Sequence, residues 1–372
     1  MAIAIGELAA LYMVIVLGHR FAPDCPRINF DMMESIRLTI SDETLRDGEQ
    51  QVGINFSAET KRELAQLIAQ TGVPQIAMMP AIHPSEEELV RSLTQTAIGP
   101  RIAASTMMTR SFIEQSQACG VEQIILFHAV SDRLLFIRDA EIRSDPVYGQ
   151  QAFDETIPAG VIDSIRHRML TKVVEHLRYA KQLGLTVYFA AEDASRAEFD
   201  LLVDCIRKFQ PYVEHFLLCD TVGILTPEAS YRWLRNLLDC VPQAAIAVHF
   251  HNDLGLALEN TIQAILAGAI GVSGTFGGIG ERAGNVALEQ VLNGLKLRFG
   301  WQVEGIDYEA LERVTTWLEE VGARANAPYS PASQRHETGI HAHSMLRDRH
   351  SYCTFPYAEP EIWFGKYSGT SN

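Results

Sequence analysis

The sequence has no CxxC pair. Its six cysteines, Cys25, Cys119, Cys205, Cys219, Cys240 and Cys353, are scattered through 372 residues. That spacing excludes a zinc ribbon and a disulfide frame, and reads as reduced, buried thiols in a cytoplasmic protein. Basic runs are also missing. With a formal net charge of −15, broad binding to nucleic acid or to an anionic membrane surface is not expected. Local arginines and lysines can still hold a small anion. Nor is there a clean membrane-length apolar run. "AIAIGELAALYMVIVLG" is short for a span and is interrupted by Glu7. No basic stretch precedes it, so it makes a poor signal peptide. Residues 1–33 read as an extension outside the main fold, with Met33 a candidate natural start; a packed N-terminal helix is the alternative.

What is present from residue 36 onward is a rhythm. Eight short apolar or β-branched runs, Ile36–Ser41, Gln75–Met79, Arg101–Ser105, Gln123–Phe127, Thr186–Ala190, His215–Cys219, Ala245–Phe250 and Gly271–Thr275, alternate with amphipathic stretches. The stretches carry helix signals: Ser57 as an N-cap with Gly72 as a stop, and Thr226 as a cap before Pro227. Strand–helix alternation repeated eight times predicts parallel strands closed into a (β/α)8 TIM barrel over residues 34–300. An open doubly wound sheet is the competing architecture. It usually opens on a glycine-rich first turn, and "LRDGEQ" has one glycine. Two segments break the rhythm. "SDRLLFIRDAEIRSDPVYGQQAFDETIPAGV" is an insertion after the fourth run, placed where such additions shape a barrel's active face. Residues 301–372 carry one more helix and a His-rich tail, and read as a small C-terminal, mainly helical subdomain that contributes to the active site.

In a barrel the C-terminal strand ends converge. Here they supply Arg46 and Asp47; His128, Ser131 and Asp132; Glu192 and Asp193; Asp220 and Thr221; His249 and His251 in "HFHND"; and Glu281, Arg282 and Asn285 in "FGGIGERAGN". Residues i and i+2 of a strand face the same way. His249 and His251 can therefore point together, with Asp47 one strand beyond their neighbour. Two imidazoles and a carboxylate suit a borderline divalent cation, with Asn285 able to add an oxygen. The bland alternative is a pair of hydrogen-bonded core histidines. Glu192 is a candidate base or orienter, against a plain salt bridge to Arg196. Thr221 can hold a carboxylate or simply form a turn. "GGIGERAGN" can be an ordinary turn, or can bring backbone N–H groups and Arg282 to an anion.

The motifs "TLRDGEQ", "AAEDASR", "LCDTVGILTPE", "HFHNDLGLALENT", "GIGERAGNVALEQV", "HETGIHAHSML" and "FGKYSG", in this order, resemble the acyl-CoA-dependent condensing synthases of the pyruvate-carboxyltransferase-like barrels. Their members make 2-isopropylmalate, homocitrate, citramalate and 2-benzylmalate. The resemblance implies a Claisen condensation of acetyl-CoA with a 2-oxo acid, with a divalent cation (Zn, Mn, Mg or Co) held by Asp47, His249 and His251 and with Asn285 in or near its shell. It implies Arg46 beside the ketone oxygen and Thr221 beside the acid's carboxylate. Glu192 would work with His341, donated across a homodimer with a shared active site, and with Tyr352. Ile76 stands where relatives often have a glutamate.

The acceptor pocket is read from Met78, Met79, Ile76 and Ala77 as apolar, suiting a branched or aromatic 2-oxo acid. His83, Arg133 and Arg138 are set against this as partners for a second carboxylate, as in 2-oxoglutarate, and His128 is a further substrate contact. Two other functions compete: a hydroxyacyl-CoA lyase, whose usual cysteine is missing from residues 274–285, and a non-catalytic ligand-binding barrel.

Overall fold

The computed structural model describes residues 33–355 and 360–363; the N-terminal extension and "FGKYSG" lie outside the described residues. Eight parallel strands close into a barrel, the first pairing with both the second and the eighth. They are β1 (Thr39–Asp42), β2 (Gln75–Met78), β3 (Arg101–Met107), β4 (Gln123–Ala129), β5 (Thr186–Glu192), β6 (His215–Asp220), β7 (Ile246–Phe250) and β8 (Gly271–Gly274). Every sequence run holds a barrel strand. The first run is trimmed: Glu34–Ile36 leaves the barrel and pairs with Trp301–Val303.

The helices around it are α1 (Ala58–Gln70), α2 (Pro84–Thr96), α3 (Arg110–Ala118), α4 (Asp132–Arg138), α5 (Ala140–Ser144), α6 (Ala159–Gln182), α7 (Phe199–Phe209), α8 (Pro227–Cys240), α9 (Ala257–Ala267), α10 (Leu288–Phe299), α11 (Tyr308–Glu320) and α12 (Gly339–Arg347). Their starts follow local chemistry. Ser57 accepts from the Thr60 N–H at the head of α1, and Thr226 accepts from Ala229 at α8, with Pro227 in the first turn. The insertion after β4 supplies α4 and α5.

Strand alternation sorts side chains into two cores. Ile76, Met78, Ile102, Ala104, Ile124, Leu126, Phe189, Leu218 and Val248 face the helices. Ala77, Ala103, Ile125, Ala190, Leu217, Cys219 and Ala247 fill the barrel interior. Four of those seven are alanine, so the interior leaves room beneath the strand C-termini. At the other end the interior is closed by polar contacts, with Gln75 Nε2 donating to Ser41 Oγ at 2.8 Å and Arg101 to Gln123 at 2.8 Å. No described helix is long and apolar enough to cross a membrane.

Candidate active site at the barrel mouth

The loop after β1 divides the charges of "TLRDGEQ". Glu49 turns away, accepting from the Phe56 N–H at 3.0 Å and pairing with buried Lys61 at 2.6 Å. Arg46 and Asp47 turn into the mouth. Arg46 Nε donates to Glu43 Oε2 at 2.7 Å, and its Nη1 donates to Asp47 Oδ2 at 2.9 Å.

One ligand atom each from Asp47, His249 and His251 lies within 4.8 Å of the other two. All three residues are buried. Asp47 Oδ2 is 3.6 Å from His249 Nε2, and the two imidazoles stand 5.0 Å apart at 81°. Burial alone would raise the Asp47 pKa, but Arg46 and the two histidines outweigh it and hold the carboxyl well below its usual range. Burial pushes His251 down, so its ring stays neutral with a lone pair to offer.

Hydrogen bonding also orients the His249 ring. Ser273 Oγ donates to Glu43 Oε1 at 3.0 Å and lies 3.1 Å from His249 Nδ1. This turns Nε2 toward Asp47. The loop after β8 completes the cluster. Asp47 Oδ1 accepts from the Glu281 N–H at 3.2 Å and from Asn285 Nδ2 at 2.9 Å. Gly280, at φ +151°, permits this approach, because a Cβ there would lie 2.2 Å from Asn285 Nδ2 and 2.7 Å from Asp47 Oδ1. Asn285 Oδ1 and His251 Nδ1 are buried without a hydrogen-bond partner. Orphaned ligand atoms beside a carboxylate and two imidazoles fit a divalent cation of the zinc type.

The cavity at this cluster is lined by Arg46, Asp47, Met79, Phe127, Glu192, Cys219, Thr221, His249, His251 and His341, among others. Thr221 Oγ1 accepts from the Asp193 N–H at 2.8 Å. Glu192 is clamped by Arg138, whose Nη1 and Nη2 donate at 2.5 and 2.9 Å. Tyr352 donates to the same carboxylate and stacks on His341, with ring centres 3.7 Å apart. Burial would raise Glu192, yet Arg138 and Tyr352 bring its pKa down to about 2. The competing Glu192–Arg196 bridge does not form; Arg196 pairs with Asp193 at 2.7 Å.

A second cavity, of about 820 Å³, shares Phe127 and Glu192 with the first. The inserted helices and α6 wall it, and His128, Arg143, Arg168, Lys172 and His343 line it. Burial lowers the His128 pKa to about 4.

Several expected contacts lie elsewhere. Met78 points outward from β2 into the helix layer, because alternation gives the inward position to Ala77. His83 caps α2, accepting from the Ser85 N–H. Arg133 pairs with Asp348, Arg138 with Glu192, and neither is free for a second substrate carboxylate. Arg282 is a strut: it is buried, holds Asp253 with two nitrogens at 2.8 and 2.9 Å, and donates to the Thr221 carbonyl. His341 lines the cavity at the barrel mouth. The sequence reading did not single out Glu43. Its three-residue spacing from Arg46, just past a strand end, was the available signal.

Residues 37–317 match the HMGL-like family. A homocitrate synthase of Methanothermobacter thermautotrophicus is 32% identical over 344 residues, covering 90% of this chain and 81% of that protein. A 2-isopropylmalate synthase of Caldanaerobacter subterraneus is 30% identical over 342 residues, covering 89% and 83%. Among solved structures, the hydroxymethylglutaryl-CoA lyase of Pseudomonas aeruginosa superposes with a TM-score of 0.59 at 21% identity, over 82% of this chain and 97% of that one. The HMG-CoA lyase of Brucella melitensis gives 0.60 at 17%, over 77% and 98%.

Proposed function

This chain belongs to the HMGL-like family, and on that premise we propose that it condenses acetyl-CoA with a 2-oxo acid, giving a 2-substituted malate and CoA. The observation that carries the reading is the convergence of Asp47, His249 and His251 at the mouth, next to a cavity of about 820 Å³ whose lining sets Arg143 and Lys172 among carboxylates. The barrel, residues 34–300, supplies the cation ligands, and residues 301–372 supply His341 and Tyr352.

A divalent cation held by Asp47, His249 and His251, with Asn285 beside it, would polarise the acceptor's ketone. Arg46 lies against Asp47 and lends its positive charge to the same oxygen as negative charge develops. Thr221 orients the acid's carboxylate. Arg143 and Lys172 suit the phosphates of CoA in the second cavity, and Phe127 and Glu192 mark where its acetyl end meets the acceptor. A methyl proton must leave acetyl-CoA for a base. Glu192, held charged by Arg138, is too weak a base for that proton at neutral pH. In this reading His341 takes it, and Glu192 positions Tyr352 against the His341 ring. The methyl carbon then bonds to the ketone carbon, the ketone oxygen gains a proton, and water cleaves the thioester to release CoA.

Ala77, Ala103, Ile125, Ala190 and Leu217 make an apolar interior below the cluster, and among the described residues Arg46 is the one arginine or lysine lining that cavity. This supports an acceptor with an apolar branched or aromatic side chain over a dicarboxylate. The test is thiol release from acetyl-CoA with zinc or manganese present and phenylpyruvate, 2-oxoisovalerate, pyruvate or 2-oxoglutarate as acceptor. An apolar acceptor is expected to give the highest kcat/KM. Preference for 2-oxoglutarate overturns the acceptor, and no release with any of them overturns the condensation. Cleavage of a hydroxyacyl-CoA instead would assign the lyase reaction.

A further inference from the structure

A second cluster adjoins the first, joined to it by the Glu281 N–H that donates to Asp47. Glu281 comes from the loop after β8, His336 from a two-residue strand paired with Glu361–Ile362, and His341 from α12. One ligand atom of each lies within 4.8 Å of the other two. Glu281 Oε1 accepts from Thr338 Oγ1 at 2.5 Å and is 3.3 Å from His341 Nδ1. Among the described residues, the buried Glu281 Oε2 and His336 Nδ1 have no hydrogen-bond partner, and His341 Nδ1 has only its 3.3 Å approach to Glu281 Oε1. Leaving such atoms unpaired is costly, and nothing in the condensation requires His336.

We propose that Glu281, His336 and His341 form a second divalent-cation site, selective for zinc-like ions, whose filling withdraws His341 from the cavity and shuts the reaction down. Two imidazoles and one carboxylate match zinc's preference for nitrogen with oxygen, and water can take the fourth position. Tetrahedral zinc with bonds of about 2.0–2.1 Å sets its ligands roughly 3.3 Å apart. The Glu281–His341 pair is already at 3.3 Å, so the rest of the site forms by closing His336 onto it. Magnesium, which demands six oxygens and keeps its waters, is a poor fit. The site differs from the first in that its histidines come from the C-terminal segment and one of them lines the reacting cavity. Zinc would thus support the reaction at one equivalent and oppose it at two. The inhibitory half of the proposal rests on the role given to His341 above; the binding half does not.

Equilibrium dialysis against zinc chloride, with metal counted per chain, separates the two. The wild type is expected to hold two zinc ions. Asp47→Asn keeps only the second and His336→Gln only the first. Saturation of the wild type at one, or retention of none by Asp47→Asn, overturns the site. Cobalt titration of Asp47→Asn gives an independent check that does not depend on the His336 variant folding. Visible absorption of tetrahedral strength is expected from the second site alone, and its absence counts against the proposal. In turnover assays, excess zinc is expected to lower wild-type kcat by about a hundredfold, the scale of losing a general base, and to leave His336→Gln active. Equal inhibition of both overturns the inhibitory role. If no acceptor turns over at all, the dialysis and cobalt results still decide the site.

Discussion

The Arg138 guanidinium grips the Glu192 carboxylate with two nitrogens, Nη1 at 2.5 Å from Oε2 and Nη2 at 2.9 Å from Oε1, and both side chains meet the Tyr352 hydroxyl. This fixes Glu192 as an anion, with its pKa at about 2 despite burial. The folded-state value is depressed, so its stabilising contribution is full above the unfolded carboxyl value and is lost as pH falls toward 2. Arg138→Met removes the clamp. Burial then dominates, and the acid limb of the kcat/KM profile is expected to move up by at least one pH unit. Glu192→Gln should lower kcat by roughly 10²-fold or more through the loss of Tyr352 and His341 positioning. An unmoved acid limb in Arg138→Met would show that Glu192 does not govern it.

Ser273 offers a test of the cation site that leaves every ligand in place. Its hydroxyl links Glu43 to His249 Nδ1 and so holds the ring with Nε2 toward Asp47. Ser273→Ala should weaken cation affinity by about 10–100-fold, the usual cost of losing such an outer partner. Activity should return at higher metal concentration. The measurement is a metal titration of the apoprotein followed by both binding and turnover. Unchanged affinity would mean that the ring is oriented by packing alone.

The barrel was legible because each strand is a short apolar run bounded by helix signals, and alternation then sorts inside from outside. The same alternation misplaced Met78. Residues 76–79 are apolar throughout, so the run itself does not say which parity faces inward; the structure puts Ala77 inside and Met78 out. The meeting of His249 and His251 with Asp47 was legible because i and i+2 along one strand share a face. Arg138, Arg133 and Arg282 were not. An arginine's partner is chosen by tertiary contacts more than fifty, two hundred and nearly thirty residues away, respectively, and the sequence shows only that the charge exists. The position of His341 over its own cavity likewise depends on how the segment after α11 folds back, which no local pattern encodes.

That fold-back has its own consequence. His341 lines the same chain's cavity, beside Glu192 and Tyr352 of that chain. Asp47→Asn and His341→Ala should each be inactive, and a mixture of the two, unfolded and refolded together, should remain inactive. Recovery toward a quarter of wild-type activity, the statistical limit for a two-chain site, would instead establish exchange of the C-terminal segment between subunits.

Acid should unfold the protein through its neutral histidines. Burial lowers the His128 pKa to about 4 and that of His336 to about 3, against a value of 6.5 for an exposed ring. Between these limits the unfolded chain binds protons that the folded chain refuses, so stability rises with pH there and is lost on acidification from 6.5 downward. His336 belongs to the proposed second cation site, so the measurement is made on the metal-free protein. The urea midpoint of the metal-free protein is expected to fall between pH 7 and pH 5. His128→Gln should flatten that slope, because it replaces a group that titrates only when unfolded with one that does not titrate at all. A wild-type midpoint independent of pH over this range would mean that these rings are hydrated and exchange protons freely in the native state.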